Sequence, residues 1–233
     1  MAIPKRPRPL RDSDPYTWNL GLLLFFVIIL QFGQPVTMYG ELWTGLYMLL
    51  YAAMIFFGIR LVRHERQPLS IVATVGIAFV AFGTWFSFDQ EHRTATLGML
   101  VSLTVFMLML VIALTMFIFR RSHAAGVDLV LAAVTVYLLH GGLFGAAYSV
   151  MEILHPGSFA DPTTPGASPT WRQLVYYSYV TMSTVGYGEV LPLTAWARSL
   201  AAFQAVAGTL FLTVAVARLV SIWRSSNPVR PDT

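Results

Sequence analysis

The chain has 233 residues, 56% of them hydrophobic and 11% charged, roughly half the charged share of a soluble domain, so a soluble globular protein is excluded and an integral membrane protein is indicated. Lys and Arg number 15 against 11 Asp and Glu, and the resulting net charge of +4 follows from loop arginines without invoking nucleic acid. Cysteine is absent, which excludes a disulfide framework, a thiolate metal site and a cysteine nucleophile.

At the N-terminus, Lys5, Arg6, Arg8 and Arg11 precede the apolar run Leu20 to Leu30 as they would in a secretory signal. No small-residue cleavage site follows; the run leads into Gln31, Phe32, Gly33, Gln34 and Pro35, and reads as a retained first span. Asp14 and Pro15 supply an N-cap and a first helical position. Six apolar stretches are long enough to span roughly 30 Å of hydrocarbon at about 20 residues each: about Trp18 to Gly33, Leu42 to Val62, Leu69 to Phe88, Thr94 to Phe119, Val127 to Ile153 and Ala195 to Trp223. The segment Trp171 to Met182 is too short to cross and reads as a re-entrant helix, which a membrane tolerates only where protein surrounds it. Before it, Pro156, Gly157, Pro162, Pro165, Gly166 and Pro169 rule out regular secondary structure. Ser168 with Pro169 is expected to start the short helix, and Thr194 to cap the last one.

Positive charge favours the cytoplasmic side of short loops. With both ends inside, Lys5, Arg6, Arg8, Arg11, Arg60, Arg63, Arg66, Arg120, Arg121, Arg218, Arg224 and Arg230 are cytoplasmic and only Arg93, Arg172 and Arg198 are outside. The inside set offers a surface for anionic lipid.

Between the short helix and the last span stands Thr184, Val185, Gly186, Tyr187, Gly188. Five specified residues of this kind occur by chance in a chain this long with a probability of about 1 in 10⁴. A cation sheds water only where oxygens replace it, and backbone carbonyls aimed at an axis supply them. An ordinary extended strand turns alternate carbonyls to opposite sides; Gly186 and Gly188 relieve this because glycine enters positive φ without a Cβ clash. One chain makes one wall, so a homotetramer is expected to enclose the ion.

TVGYG is the filter sequence of potassium channels, and the segments YVTMSTVGYGEVLP (Tyr179 to Pro192) and VAGTLFLTVAVARLVS (Val206 to Ser221) resemble the tetrameric pore-loop potassium channel superfamily over about Val127 to Trp223. The resemblance implies a bacterial six-transmembrane-segment channel with an all-α fold: six transmembrane helices, a re-entrant pore helix and a selectivity-filter loop. Residues 1–17 form a cytoplasmic N-terminal segment, 18–121 a four-helix block, 122–224 the pore domain and 225–233 a cytoplasmic tail. Within the pore domain the outer helix spans 126–153, the turret 154–168, the pore helix 169–182, the filter 183–189 and the inner helix 194–224. Potassium would sit at Thr184, Val185, Gly186 and Tyr187, with Gly188 at the outer mouth and Ser183, Glu189, Tyr176 and Tyr177 in support, the tyrosines bracing the filter from behind with Tyr187 packed on them. Gly208 falls at the inner-helix glycine where family members bend, or else permits close packing. Thr209, Leu212, Val216 and Val220 would line the cavity, with Arg218 at a gate or among lipid headgroups. Glu189 stands where the family more often has Asp, and Val180 where some bacterial members carry a glutamate, so filter inactivation should differ while selectivity is retained.

The layout is that of voltage-gated channels, yet Thr94 to Phe119 contains no charged residue, so no steep voltage sensor is expected. His140, in span five, is either a functional group or one side of an interhelical hydrogen bond. Enzyme chemistry finds no motif: His64, His92, His123, His140 and His155 make no i, i+4 metal pair. No cofactor is expected beyond potassium ions. The alternatives are a potassium-uptake transporter and a non-conducting receptor or regulatory subunit on the same fold. The bacterial inner membrane is the expected location.

Overall fold

Long runs of Leu, Val, Phe and Ala broken by Pro, Gly or charge only at their ends satisfy their backbone internally as helices, the form that survives in hydrocarbon. The computed structural model describes residues 15–63, 69–90, 92–120, 126–164 and 166–226. In chain order these hold α1 (Pro15–Phe32), a 3₁₀ helix (Gln34–Tyr39), α2 (Glu41–Arg63), α3 (Leu69–Phe88), α4 (Arg93–Arg120), α5 (Gly126–Leu154), β1 (Phe159–Ala160), α6 (Trp171–Met182), β2 (Leu191–Pro192) and α7 (Ala195–Ser226). The expected roles of Asp14, Lys5, Arg6, Arg8, Arg11, His64, Arg66, Arg121, His123, Pro165 and Arg230 lie outside the described residues.

Five described helices are long and apolar enough to cross a membrane: Glu41–Leu61, Ser70–Phe88, Arg93–Arg120, Gly126–Leu154 and Ala195–Ile222. The first expected span is shorter, with Tyr16–Phe32 as its apolar part, about 25 Å at 1.5 Å per residue. Hydroxyls inside these helices are disposed of locally. Ser102, Thr104, Thr135 and Ser149 each donate to the carbonyl four residues back, at 2.6–2.8 Å.

Both α1 and α4 pack along α5, and α2 and α3 pack in sequence between them. In the most apolar window of each helix, 67% of α5 and 56% of α4 is buried, but only 11% of α7. Trp196, Phe203, Val206, Leu210, Leu212, Val214, Val216 and Val220 are all exposed along that last helix.

Two expectations are corrected. The short helix begins at Trp171, not at residue 169: Thr170 is its N-cap, accepting from the Gln173 N–H while the Gln173 side chain accepts from the Thr170 N–H. This reciprocal capping box outcompetes Ser168, which lacks the matching residue three positions on. The Pro- and Gly-rich segment is also not wholly irregular. Its residues Phe159 and Ala160 pair antiparallel with Pro192 and Leu191, and the Leu193 N–H donates to the Ser158 carbonyl at 2.8 Å. Thr194 does cap α7, accepting from the Ala197 N–H at 3.3 Å.

Candidate functional site

The loop 183–189 hangs from the C-terminal end of α6, and α6 is held against α5 by close approach. A Cβ on Gly145 would lie 2.7 Å from the Val175 Cα, and one on Gly141 would meet the Tyr179 ring. Only glycine lets the two backbones come this near. Tyr179 then donates through its hydroxyl to the Leu138 carbonyl at 2.7 Å, and Ser178 to the Gly141 carbonyl at 2.6 Å.

At the end of α6 the chain reverses on its own last turn. The Ser183 N–H donates to the Tyr179 carbonyl at 2.9 Å, and the Ser183 hydroxyl to the same carbonyl at 2.7 Å. The Val180 carbonyl accepts from both the Val185 N–H at 3.1 Å and the Gly186 N–H at 3.4 Å. Part of the negative end of the helix is therefore spent on the loop itself.

Along the loop the backbone alternates in hand: Thr184 has φ 60°, Gly186 φ 62° and Gly188 φ 82°, while Val185 and Tyr187 stay at negative φ. Alternation of this kind turns successive carbonyls toward one side. The glycines were legible as positive-φ positions, but Thr184 was not. It is the one non-glycine residue at positive φ among the described residues, a position that costs an L-residue about 1–2 kcal/mol. Thr184 to Glu189 are all exposed, Val185 at 51% and Tyr187 at 68%.

Beside the loop lies a cleft of about 360 Å³ lined by Tyr176, Tyr177, Thr181, Tyr187, Glu189 and neighbouring residues. A hydrogen bond to the Glu189 carboxylate raises the pKa of the Tyr176 hydroxyl above its ordinary value. This pairing gives Glu189 the partner that Val180 cannot supply, and nothing in the sequence spacing pointed to it. Tyr177 is buried and turns instead to Tyr148 and Phe159, with ring centroids 5.3 and 5.7 Å apart. Among the described residues no ring stacking joins Tyr187 to Tyr176 or Tyr177, and all three border the cleft.

The turret is ordered by two carboxylates. Glu152, 4% exposed, accepts from the Gly157 and Phe159 N–H groups, each at 2.9 Å. Asp161 accepts from the Thr163 hydroxyl at 2.6 Å, from the Thr163 N–H at 2.8 Å and from the Gln173 amide at 2.5 Å. The Thr163 hydroxyl bond is the leading reason the Asp161 carboxyl is held below its usual range. The arginines expected outside also have local partners. Arg93 donates to the Ile153 carbonyl at 2.8 Å, Arg172 to the Thr37 hydroxyl at 3.0 Å and Arg198 to the Pro192 carbonyl at 3.1 Å.

On α7, Gly208 faces the base of the loop: a Cβ there would lie 2.6 Å from the Met182 Cγ. Leu212, Val216 and Val220 lie on the uncovered side, and the Arg218 Nε is buried without a hydrogen-bond partner among the described residues. No interhelical hydrogen bond of His140 is found among the described residues. Its Nδ1 is buried without a partner, and the ring lies between Phe144 and Phe211, with centroids 5.6 and 6.2 Å away.

A short helix and an exposed loop of alternating hand thus lie between the last two long helices of an all-α fold whose long helices are apolar enough to cross a membrane. Residues 127–225 match the family model described as "Ion channel". Over 84 residues the chain is 34% identical to the inward rectifier potassium channel Kirbac3.1 of Paramagnetospirillum magnetotacticum, an alignment covering 34% of this chain and 24% of that protein. No solved structure matches the chain.

Proposed function

We propose that the protein is a potassium-selective channel that conducts passively through a filter built by four copies of Thr184 to Gly188. The observation that carries this reading is the alternating hand at Thr184, Gly186 and Gly188, which lets consecutive carbonyls of one chain replace the water of a bare cation on one side. The uncovered faces of the loop and of α7 support the tetramer: an apolar helix 11% buried in its own subunit needs a protein or lipid neighbour. On this reading potassium occupies sites at Thr184, Val185, Gly186 and Tyr187, Ser183 and Glu189 hold the ends of the filter, and Thr209, Leu212, Val216 and Val220 line the cavity below. Gly208 acts by admitting Met182, the packing alternative that its 2.6 Å clearance favours over a hinge.

Both termini lie in the cytoplasm of a bacterial cell, where Arg60, Arg120 and Arg218 meet anionic headgroups. The block α1–α4 works as a packing jacket around α5 and not as a voltage sensor. Between Arg93 and Arg120, α4 has no charge to move, and 56% of its most apolar window is buried against its neighbours.

Reconstitution into liposomes with potassium and sodium flux measured separately tests the reading. A channel gives fast, passive, barium-sensitive potassium flux and little sodium flux. Slow coupled uptake would identify a transporter instead, and the absence of flux a receptor or regulatory subunit.

A further inference from the structure

Three polar side chains lie wholly inside the apolar interior where α5, α6 and α7 meet: Tyr148, Ser178 and Gln204, each 0% exposed. Buried amides and hydroxyls are tolerated when every donor finds an acceptor, and here they join in one directed chain. The Tyr148 hydroxyl donates to Gln204 Oε1 at 2.5 Å. Gln204 Nε2 donates to the Ser178 carbonyl at 3.1 Å and to the Ser178 Oγ at 2.6 Å. The Ser178 hydroxyl in turn donates to the Gly141 carbonyl at 2.6 Å. The circuit starts and ends on α5, crosses α7 and α6, and uses both N–H donors of the amide. The Ser178 carbonyl fixes which way the amide lies, because a rotated Gln204 would set oxygen against oxygen.

The placement of this circuit bears on the filter. Ser178 stands two residues before Val180, the carbonyl that accepts both the Val185 and Gly186 N–H groups. One turn along α7 from Gln204, Gly208 receives Met182. The last helix therefore grips the short helix at two levels, four residues apart on each. The upper grip is polar and directional, and the lower is a fit of shapes.

We infer that Gln204, together with Tyr148 and Ser178, is a positioning residue for ion selectivity, fixing the axial height and rotation of α6 and with it the carbonyl from which the filter is suspended. This rests on the channel reading above. A directional bond resists sliding and rotation in a way that apolar contact of equal area does not, because donor and acceptor must stay aligned within a few tenths of an ångström. Apolar surroundings strengthen the bonds further and leave no water to replace them.

The test is the potassium-to-sodium flux ratio in liposomes, measured beside thermal melting of the assembled protein. The triple variant Y148F/S178A/Q204L removes every side-chain member of the circuit, so no buried polar side-chain atom is stranded, and melting should stay close to wild type. The flux ratio should fall at least tenfold. A merely structural role would change how many assemblies survive and leave the ratio of the survivors untouched. Tyr148→Phe removes a single O–H from a site that keeps its shape, and should lower the ratio at least threefold, which keeps the test decisive if the triple variant fails to assemble. A wild-type ratio in either variant overturns the positioning role while the channel reading stands. Wild-type protein without potassium preference overturns both.

Discussion

Replacing Gly186 with alanine isolates the backbone conformation on which the proposed selective conduction rests. Gly186 has φ 62°, and a Cβ built on it meets nothing within 4 Å in its own chain, so within a subunit the added methyl acts through torsion alone. An L-residue in the left-handed region costs about 1–2 kcal/mol. In the proposed tetramer four copies hold the conformation together around one axis, which raises the total to about 4–8 kcal/mol per pore on the same scale. At about 1.4 kcal/mol per tenfold, the conducting arrangement is depopulated roughly 10³- to 10⁶-fold relative to a relaxed loop with one carbonyl turned away. The assay is potassium and sodium flux from liposomes, with oligomeric state checked by mass. Gly186→Ala should assemble and lose potassium preference. Gly21→Ala, at a glycine with no Cβ neighbour and no positive φ, should be silent. Assembled Gly186→Ala with wild-type flux and ion ratio would refute the backbone argument.

Glu152→Gln keeps one acceptor oxygen for the two N–H groups of Gly157 and Phe159; at about 1.5–3 kcal/mol for a bond to a charged group, the melting midpoint should fall, and an unchanged midpoint would show that the buried carboxylate does not order the turret. Because the Asp161 carboxyl is held below its usual range, its contribution is complete above the ordinary carboxylate pKa and is lost as pH falls through the lowered value. Hydrogen exchange in the first turn of α6 should therefore accelerate in acid, and Asp161→Asn should abolish that dependence; equal exchange rates at neutral and acid pH in the parent chain would contradict the coupling. Gly208→Val must push against the Met182 Cγ, at a typical overpacking cost of about 1–3 kcal/mol, so its melting should drop; wild-type melting would favour a hinge over the packing role.

The order of elements was legible because hydrocarbon admits few choices: long apolar runs bounded by Pro, Gly and Arg become helices whatever their neighbours. The loop was legible for a different reason, since two glycines two residues apart announce positive φ. Thr184 was not, because its left-handed backbone is imposed by the loop's alternation and runs against the residue's own preference. The cap of α6 was read at Ser168 although Thr170 and Gln173 carry the capping-box spacing. Ser168 beside Pro169 gave a nearer and weaker signal. The turret ladder escaped notice because two residues of pairing leave no periodicity. Gln204 and Tyr148 stand 56 positions apart, each a single polar residue in an apolar run, and only the antiparallel packing of α5 and α7 makes them partners. His140 shows the same difficulty in reverse: a lone polar ring suggested a hydrogen bond, and the packing supplied two aromatic faces instead.

The short ladder between Phe159–Ala160 and Leu191–Pro192 moors the leading end of α7 to the loop that follows the preceding long helix. Lateral drift of that end is thus resisted by Glu152 and its two amide donors, leaving only Glu189 and Val190 between the ladder and Gly188. On the channel reading, those two residues are the whole length of chain that joins this mooring to the filter.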